Sequence, residues 1–316
     1  MNQSWTRLTE QHSILGESPF WHPDEERLYW VDILGFKIHR LHVATGVQES
    51  WEMPQEPCCI APAQTNGKSS GLVIALRDGF YRAQVWGGAI TPLATTGTGH
   101  LDYDPKTMRF NDGRCDPEGR FWCGTMIEPM EMRASKIGTL YSLEMRAGQV
   151  HIEVQASGAA IPNGLAWSKD SKTMYWSDSF NHVLSIFDWD AKSNRLANRR
   201  VLKNFPPKSK IKGEETVYGG RPDGAAMDAD GNYYVCLMEG QDILKLAPDH
   251  IELARIPTPV RFVTMPCFGG ADLKTLFVTS LRENRTPEEL AEQPNLGHVF
   301  ATNVDVAGAP VNFFKD

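Results

Sequence analysis

The sequence predicts an all-β protein: a six-bladed β-propeller of four-stranded antiparallel blades around a central channel, forming a single domain over residues 1–316. Three observations predict it. Six strand-forming runs resemble one another along the chain, and their starts lie roughly 43 to 59 residues apart, the spacing of a blade of four strands. Turn signals separate strand-length runs throughout, while long helical periodicity is nearly absent. Finally, residues 6–14 form a strand region with no repeat of its own, and the last repeat runs close to the C-terminus. Pairing that orphan strand with the C-terminal ones would complete the final blade and remove an open edge.

The repeated runs are Leu28-Tyr-Trp-Val-Asp32, Leu72-Val-Ile-Ala-Leu76, Phe121-Trp-Cys-Gly-Thr125, Met174-Tyr-Trp-Ser-Asp178, Tyr233-Tyr-Val-Cys-Leu237 and Leu276-Phe-Val-Thr-Ser280. We read these as the inner strands, with the next strand of the blade a few residues on, as in Lys37-Ile-His-Arg-Leu41, Gly138-Thr-Leu-Tyr-Ser-Leu143, Val183-Leu-Ser-Ile-Phe187 and Asp242-Ile-Leu-Lys-Leu246. Alternating side chains on such strands bury one set against each adjoining blade. One helical signal stands out, Thr286-Pro-Glu-Glu-Leu-Ala-Glu, with an N-cap threonine, proline in the first turn and glutamate at the third position. It is long enough for one or two turns. Two longer connections, residues 126–137 and 203–220, are candidates for functional rims.

Composition narrows the function classes. The net charge is −7 and no Lys/Arg block occurs, which argues against nucleic acid or an anionic membrane as partner. The N-terminal residues lack the apolar core of a signal peptide, and no apolar run reaches the roughly 18 residues that suggest a membrane span. A cytoplasmic protein with no obligate protein partner is expected. The six cysteines fit that compartment as buried thiols, since Cys58-Cys59 has no second pair at zinc-ribbon spacing. The many tryptophans and tyrosines suit the wedges between blades.

Small polar clusters precede the repeats: Gly16-Glu17-Ser18-Pro19, Arg109-Phe-Asn111-Asp112-Gly113, Pro162-Asn163-Gly164 and Arg221-Pro222-Asp223-Gly224. Each alone reads as a turn between blades, because Asn-Gly and Asp-Gly are common turn pairs. Four in register at the mouth of one channel read as a shared site. Glutamate, asparagine and aspartate supply hard oxygen donors suited to Ca²⁺, Mg²⁺ or Mn²⁺, and the set contains no Cys or His for a structural zinc. A divalent ion beside two carboxylates is a Lewis acid.

In combination with Asp116-Pro-Glu-Gly-Arg, Gly124-Thr-Met126, Pro162-Asn-Gly-Leu-Ala-Trp and Cys267-Phe-Gly-Gly, these clusters resemble the SMP-30/gluconolactonase/luciferin-regenerating-enzyme family over nearly the whole chain. The resemblance implies a six-bladed propeller that hydrolyses sugar lactones with one divalent metal ion (Ca, Zn, Mn, Mg or Fe) in the axial channel. It implies Glu17, Asn163 and Asp223 as metal ligands. Asp223 is also implied as the base, or as a residue that only positions water. Arg109, Asn111 and Glu128 match positions that hold sugar hydroxyls. A small-molecule sugar lactone is the partner so implied.

Other patterns lead nowhere. Gly67-Lys-Ser-Ser-Gly71 spells a nucleophile elbow but reads as a hairpin loop, since no strand-to-helix turn follows. Gly97-Thr-Gly lacks the third glycine of a dinucleotide site. Asp228-Ala-Asp-Gly and Asp188-Trp-Asp lack the terminal glutamate of a calcium loop and read as hairpin turns. His100 reads as packed or surface. An alternative role for Arg109 is a surface ion pair with Asp112 or another local carboxylate. Two rival functions stay open: a phosphotriesterase or aryl esterase on the same propeller, and a non-catalytic calcium-binding or scaffold propeller.

Overall fold

A computed structural model of the chain describes residues 4–135, 138–209 and 218–316. Six sheets form six blades, and five of the sheets have four strands. The first blade contains Gly16–His22, Arg27–Asp32, Lys37–His42 and Val47–Glu52, each antiparallel to the next. The inner strands of the other blades are Pro57–Thr65, Met108–Cys115, Pro162–Trp167, Arg221–Met227 and Val263–Gly269. Ring closure follows the expectation. Thr6–Arg7 pairs antiparallel with Phe300–Asn303 and supplies the fourth strand of the last blade. Ser13 N continues the seam by donating to Gly297 O at 2.8 Å.

The blades are glued by side chains that alternate across each strand. An apolar cluster fills every gap between neighbours: Phe80 meets Phe110 and Phe121 between the second and third blades, and Trp122 meets Trp167 and Trp176 between the third and fourth. Rings stack across these gaps, as Tyr175 does on Tyr233 with centroids 4.5 Å apart. All six cysteines are free and buried, with Cys59 Sγ 3.1 Å from Cys123 Sγ. The capped turn also forms: Pro287–Glu292 is helical, and Thr286 and Glu289 exchange side-chain and backbone bonds. Among the described residues no helix is long and apolar enough to cross a membrane.

Four readings need correction. The six repeated runs are the second strands of their blades, and the polar clusters lie on the innermost strands rather than ahead of them. Proline, glycine and a break in pairing disguise those inner strands as turns. The sheet of the second blade has a fifth strand, because Phe314–Lys315 pairs parallel with Ala63 and Gln64 on its axial side. Asp188 to Asp190 end the strand Val183–Asp190, and the turn comes after them, capped by Asp190 through Lys192 N. Of the two long connections, Met126 and Ile127 complete the strand Phe121–Ile127, and residues 203–204 end the strand Arg195–Asn204. Residues 136–137 and 210–217 of these connections lie outside the described residues.

Candidate active site

One irregularity repeats around the ring. The register of each inner strand against its neighbour slips between Glu17 and Phe20, Pro57 and Cys59, Phe110 and Gly113, Asn163 and Ala166, Pro222 and Ala225, and Val263 and Pro266. A bulge re-aims the side chains beside it. Here it brings Glu17, Asn111, Asn163 and Asp223 to one end of the channel. Acidic residues of the second strands fix the chain just ahead of two of them. Asp32 accepts from Ile14 N (2.9 Å) and Leu15 N (3.0 Å) before Glu17, and Asp178 accepts from Ala160 N (3.1 Å) and Ile161 N (3.3 Å) before Asn163.

The candidate residues form one hydrogen-bonded chain across three blades. Arg109 Nη1 donates to Asn111 Oδ1 (3.1 Å), and Asn111 Nδ2 donates to Asn163 Oδ1 (3.1 Å) and Pro162 O (3.0 Å). Asn163 Nδ2 donates to Asp223 Oδ1 (2.5 Å) and to Ser179 Oγ (2.8 Å). Ser179 in turn donates to Pro222 O at 2.6 Å, tying the third member of this chain to the fourth. Glu17 Oε2 accepts from Ser18 N at 3.1 Å. Glu17, Asn163, Asp223 and Arg109 are buried, and Asn111 is half-buried. Glu128 stands at the rim with a 31% exposed side chain, 3.4 Å from Arg109 Nε. Arg109 therefore pairs with a local carboxylate, as the alternative reading allowed, but the partner is Glu128 and not Asp112, whose Oδ2 accepts from Leu165 N at 3.0 Å.

Several contributors escaped the sequence reading. Arg77 grips Glu128 through two bonds of 2.7 and 3.0 Å and Glu56 through two of 2.8 and 2.6 Å, so it holds the rim carboxylate in place. Its only sequence signal is a charge directly after the fully apolar run Leu72 to Leu76. Asp112 is a third buried carboxylate, and Ser179 is a buried hydroxyl one residue past a repeat. Neither stands out without the ring that brings them together.

The electrostatics of the pair are unfavourable. Burial first, then the charges of Asp223 and Asp112, push the Glu17 carboxyl well above its usual range. Asp223 is pushed up by burial, against the pull of Arg221, and Asp112 adds to the rise. Asp112 itself is raised by burial, against the pull of Arg114 and of backbone N–H groups, and among the described residues its buried Oδ1 has no hydrogen-bond partner. Buried carboxylates without a cation are costly. Among the described residues no three His, Cys, Asp or Glu side chains are grouped to hold a metal ion. The donors present are two carboxylates and an amide oxygen, with an orphaned carboxylate oxygen nearby. That set fits a hard divalent cation, with water or substrate completing its coordination.

Known proteins bear on this arrangement. Residues 15–282 match the family model described as the SMP-30/Gluconolactonase/LRE-like region. The chain belongs to this family. It is 38% identical over 315 residues to a 6-deoxy-6-sulfogluconolactonase of Pseudomonas putida, a match covering 99% of each protein. Its structure resembles that of a calcium-binding protein, regucalcin, from Agrobacterium tumefaciens, with a TM-score of 0.85, 25% identity and coverage of 99% and 98%. A luciferin-regenerating enzyme matches over the full length of both chains at 27% identity, also with a TM-score of 0.85. Relatives named as sugar lactonases within a shared family support hydrolysis of sugar lactones as the coarse activity.

Proposed function

We propose that the protein hydrolyses an aldonolactone to the sugar acid, with one divalent metal ion held by Glu17, Asn163 and Asp223. The observation that carries this reading is the meeting, at one channel mouth, of two buried carboxylates with a wall in which Arg109 hydrogen-bonds to Asn111 and ion-pairs with Glu128. Such a wall suits a ring bearing several hydroxyls, each of which must exchange water for a protein partner on binding. Arg109 offers a fork of donors, Asn111 both a donor and an acceptor, and Glu128 an acceptor held in place by Arg77.

A divalent ion in that set supplies Lewis acidity toward the lactone carbonyl. The chain's own residues do the rest. Asp223 takes the proton of the attacking water and passes it to the ring oxygen as the acyl–oxygen bond breaks. Glu17 supplies a second negative charge to the ion. Asn163 locks Asp223 through its amide and is itself braced by Ser179. Six buried free thiols and an acidic surface fit a cytosolic enzyme.

The test is a substrate panel run on chelator-stripped protein refilled in turn with Ca²⁺, Mg²⁺, Mn²⁺, Zn²⁺ or Fe²⁺. Gluconolactone, xylonolactone and arabinonolactone stand beside an aryl ester and a phosphotriester. Sugar lactones should turn over only after refilling. Full turnover by verified metal-free protein, or turnover confined to the aryl ester or phosphotriester, would sink the proposal.

A further inference from the structure

The rim above the acidic set carries a cation that the lactonase reading leaves without a task. Arg133 lies in the short helical turn Met130–Ser135, in the connection that follows the strand Phe121–Ile127. Its guanidinium is held along one edge by two carbonyls: Nε donates to Ile127 O (3.1 Å) and Nη2 to Glu128 O (3.0 Å). On its far side it lies over the ring of Phe180, 5.9 Å from the centroid. Both anchors belong to the site. Glu128 pairs with Arg109, and Phe180 directly follows Ser179, which binds Asn163 and Pro222. Arg133 therefore reaches from the third blade toward the fourth, above the acidic set.

Its surroundings are cationic. Arg109 and Arg221 act on Arg133 as like charges, and burial together with those two neighbours lowers its affinity for its proton, with Glu128 and Glu283 opposing. Arg109 has Glu128 as counter-charge and Arg221 has Glu239, 3.0 Å away. Among the described residues Arg133 has no carboxylate within ion-pair distance. Neither of the two carbonyls that orient it neutralises it. With Nε and one Nη2 donor taken by the carbonyls, Nη1 has no hydrogen-bond partner among the described residues, and Arg221 adds a second positive charge, a combination that suits a tetrahedral or planar anion.

We propose that Arg133, with Arg221 beside it, binds an anionic substituent on the arm of the lactone remote from the carbonyl. The preferred substrate class is then an aldonolactone bearing a sulfonate or phosphate on its exocyclic carbon. This inference rests on the lactonase reading for its substrate, but its recognition element is separate from the metal set. Acid at the ion and a cation at the rim place the two ends of such a molecule. The carbonyl goes to the Glu17–Asp223 end, the hydroxyls to Arg109, Asn111 and Glu128, and the anion to Arg133.

The test has a kinetic and a binding arm. In the first, kcat/KM is measured on gluconolactone and on its 6-phospho and 6-deoxy-6-sulfo forms, for the native protein and for Arg133→Gln, Arg133→Ala and Arg133→Lys. The native enzyme should prefer at least one anionic form, and the relative activity of the two anionic forms identifies the group. Arg133→Gln, which keeps a donor without the charge, should lower the anionic-to-neutral ratio about tenfold or more, mostly through KM, with Arg133→Lys restoring part of it. Native preference for the neutral lactone, or equal losses on both classes, would overturn the proposal. In the second arm the binding of 6-deoxy-6-sulfogluconate, 6-phosphogluconate and gluconate is followed by titration calorimetry. Tighter binding of either anionic acid that weakens in Arg133→Gln supports the anion site even if no lactone is turned over, in which case only the lactonase reading falls. Binding of all three acids with one affinity, or unaffected by the substitution, overturns the anion site.

Discussion

At the mouth where the inner strands begin, the channel wall is Glu17, Asn111, Asn163 and Asp223, with Asp112 and Arg109 close by. At the end where the same strands finish, it is Phe20, Trp21, Trp167, Met227, Met265 and Phe268, enclosing a largely apolar chamber of about 390 Å³. The C-terminal residues Ala309, Pro310 and Val311 close that chamber, and Phe314 behind them is fully buried. One set of strands thus serves two purposes, and the slip in register marks the border. Ahead of it the ring holds charges that are costly to bury. Beyond it the ring packs apolar side chains that help offset that cost. This chamber lies at the apolar end, and none of the candidate ligands Glu17, Asn163 and Asp223 lines it. Volume and chemistry part company in this channel, and the candidate residues lie at the polar mouth.

If the polar mouth is the reactive end, the largest effect comes from Asp223→Asn. The substitution keeps shape and one oxygen donor but removes the charge and the basic oxygen. We expect kcat to fall about a hundredfold to ten-thousandfold, with the thermal transition at least as high as native because a buried charge is relieved. Lactone turnover within a few-fold of native would remove both roles from Asp223.

The apolar end should respond in the opposite sense. Phe314→Ala empties a fully buried position in the strand that seals the chamber. Urea unfolding should show a loss of about 3–5 kcal/mol, the usual cost of deleting a buried aromatic ring. The folded fraction should hydrolyse lactone at an unchanged kcat/KM, because nothing in this strand touches the polar mouth. A catalytic defect in folded protein would mean that the two ends are coupled.

Arg77→Ala falls between these cases. It frees Glu128 and Glu56 from their shared guanidinium, and the rim acceptor loses its fixed geometry. A polyhydroxylated lactone should lose about tenfold in kcat/KM, and an unsubstituted one such as δ-valerolactone markedly less. Equal losses on the two would make Arg77 a support for the fold and not for hydroxyl recognition. Affinity for whichever divalent ion supports turnover, followed by titration, should stay as in the native protein.

The contrast between the two ends also explains what the sequence displayed. The second strands announced themselves because both their faces are buried between blades, so they read as unbroken apolar and aromatic runs such as Met174 to Trp176. The inner strands did not. Their function requires proline, glycine and acidic residues at a bulge, and strand propensity counts all of these as turn formers. The candidate ligands were still visible as a recurring pattern, since each occupies the same place in its blade. Arg77, Asp112, Ser179 and Arg133 had no such recurrence. Arg77, Asp112 and Ser179 each touch a residue of another blade that only closure of the ring brings close. The parallel C-terminal strand was equally silent: two residues, Phe314 and Lys315, carry no periodicity at all.

The smallest expected effect lies on the border itself. Ser18 occupies the bulge position that Gly164 occupies in the fourth blade, and both have left-handed backbones, with φ of 49° and 64°. Serine tolerates this conformation at a cost of about 1–2 kcal/mol relative to glycine. It is retained for its hydroxyl, which accepts from the buried Ile60 N of the next blade at 3.0 Å. Ser18→Ala keeps the strain and orphans that N–H, so it should destabilise by about 1–3 kcal/mol. Ser18→Gly orphans the same N–H but relieves the strain, less about 0.4–1 kcal/mol for the added freedom of the unfolded chain. The glycine variant should therefore unfold at higher urea than the alanine variant, by roughly 0.8 kcal/mol in stability, the difference between the midpoints of those two terms. If alanine proves the more stable of the two, the bulge at Ser18 stores no strain, and Ser18 contributes only its hydroxyl bond to the second blade.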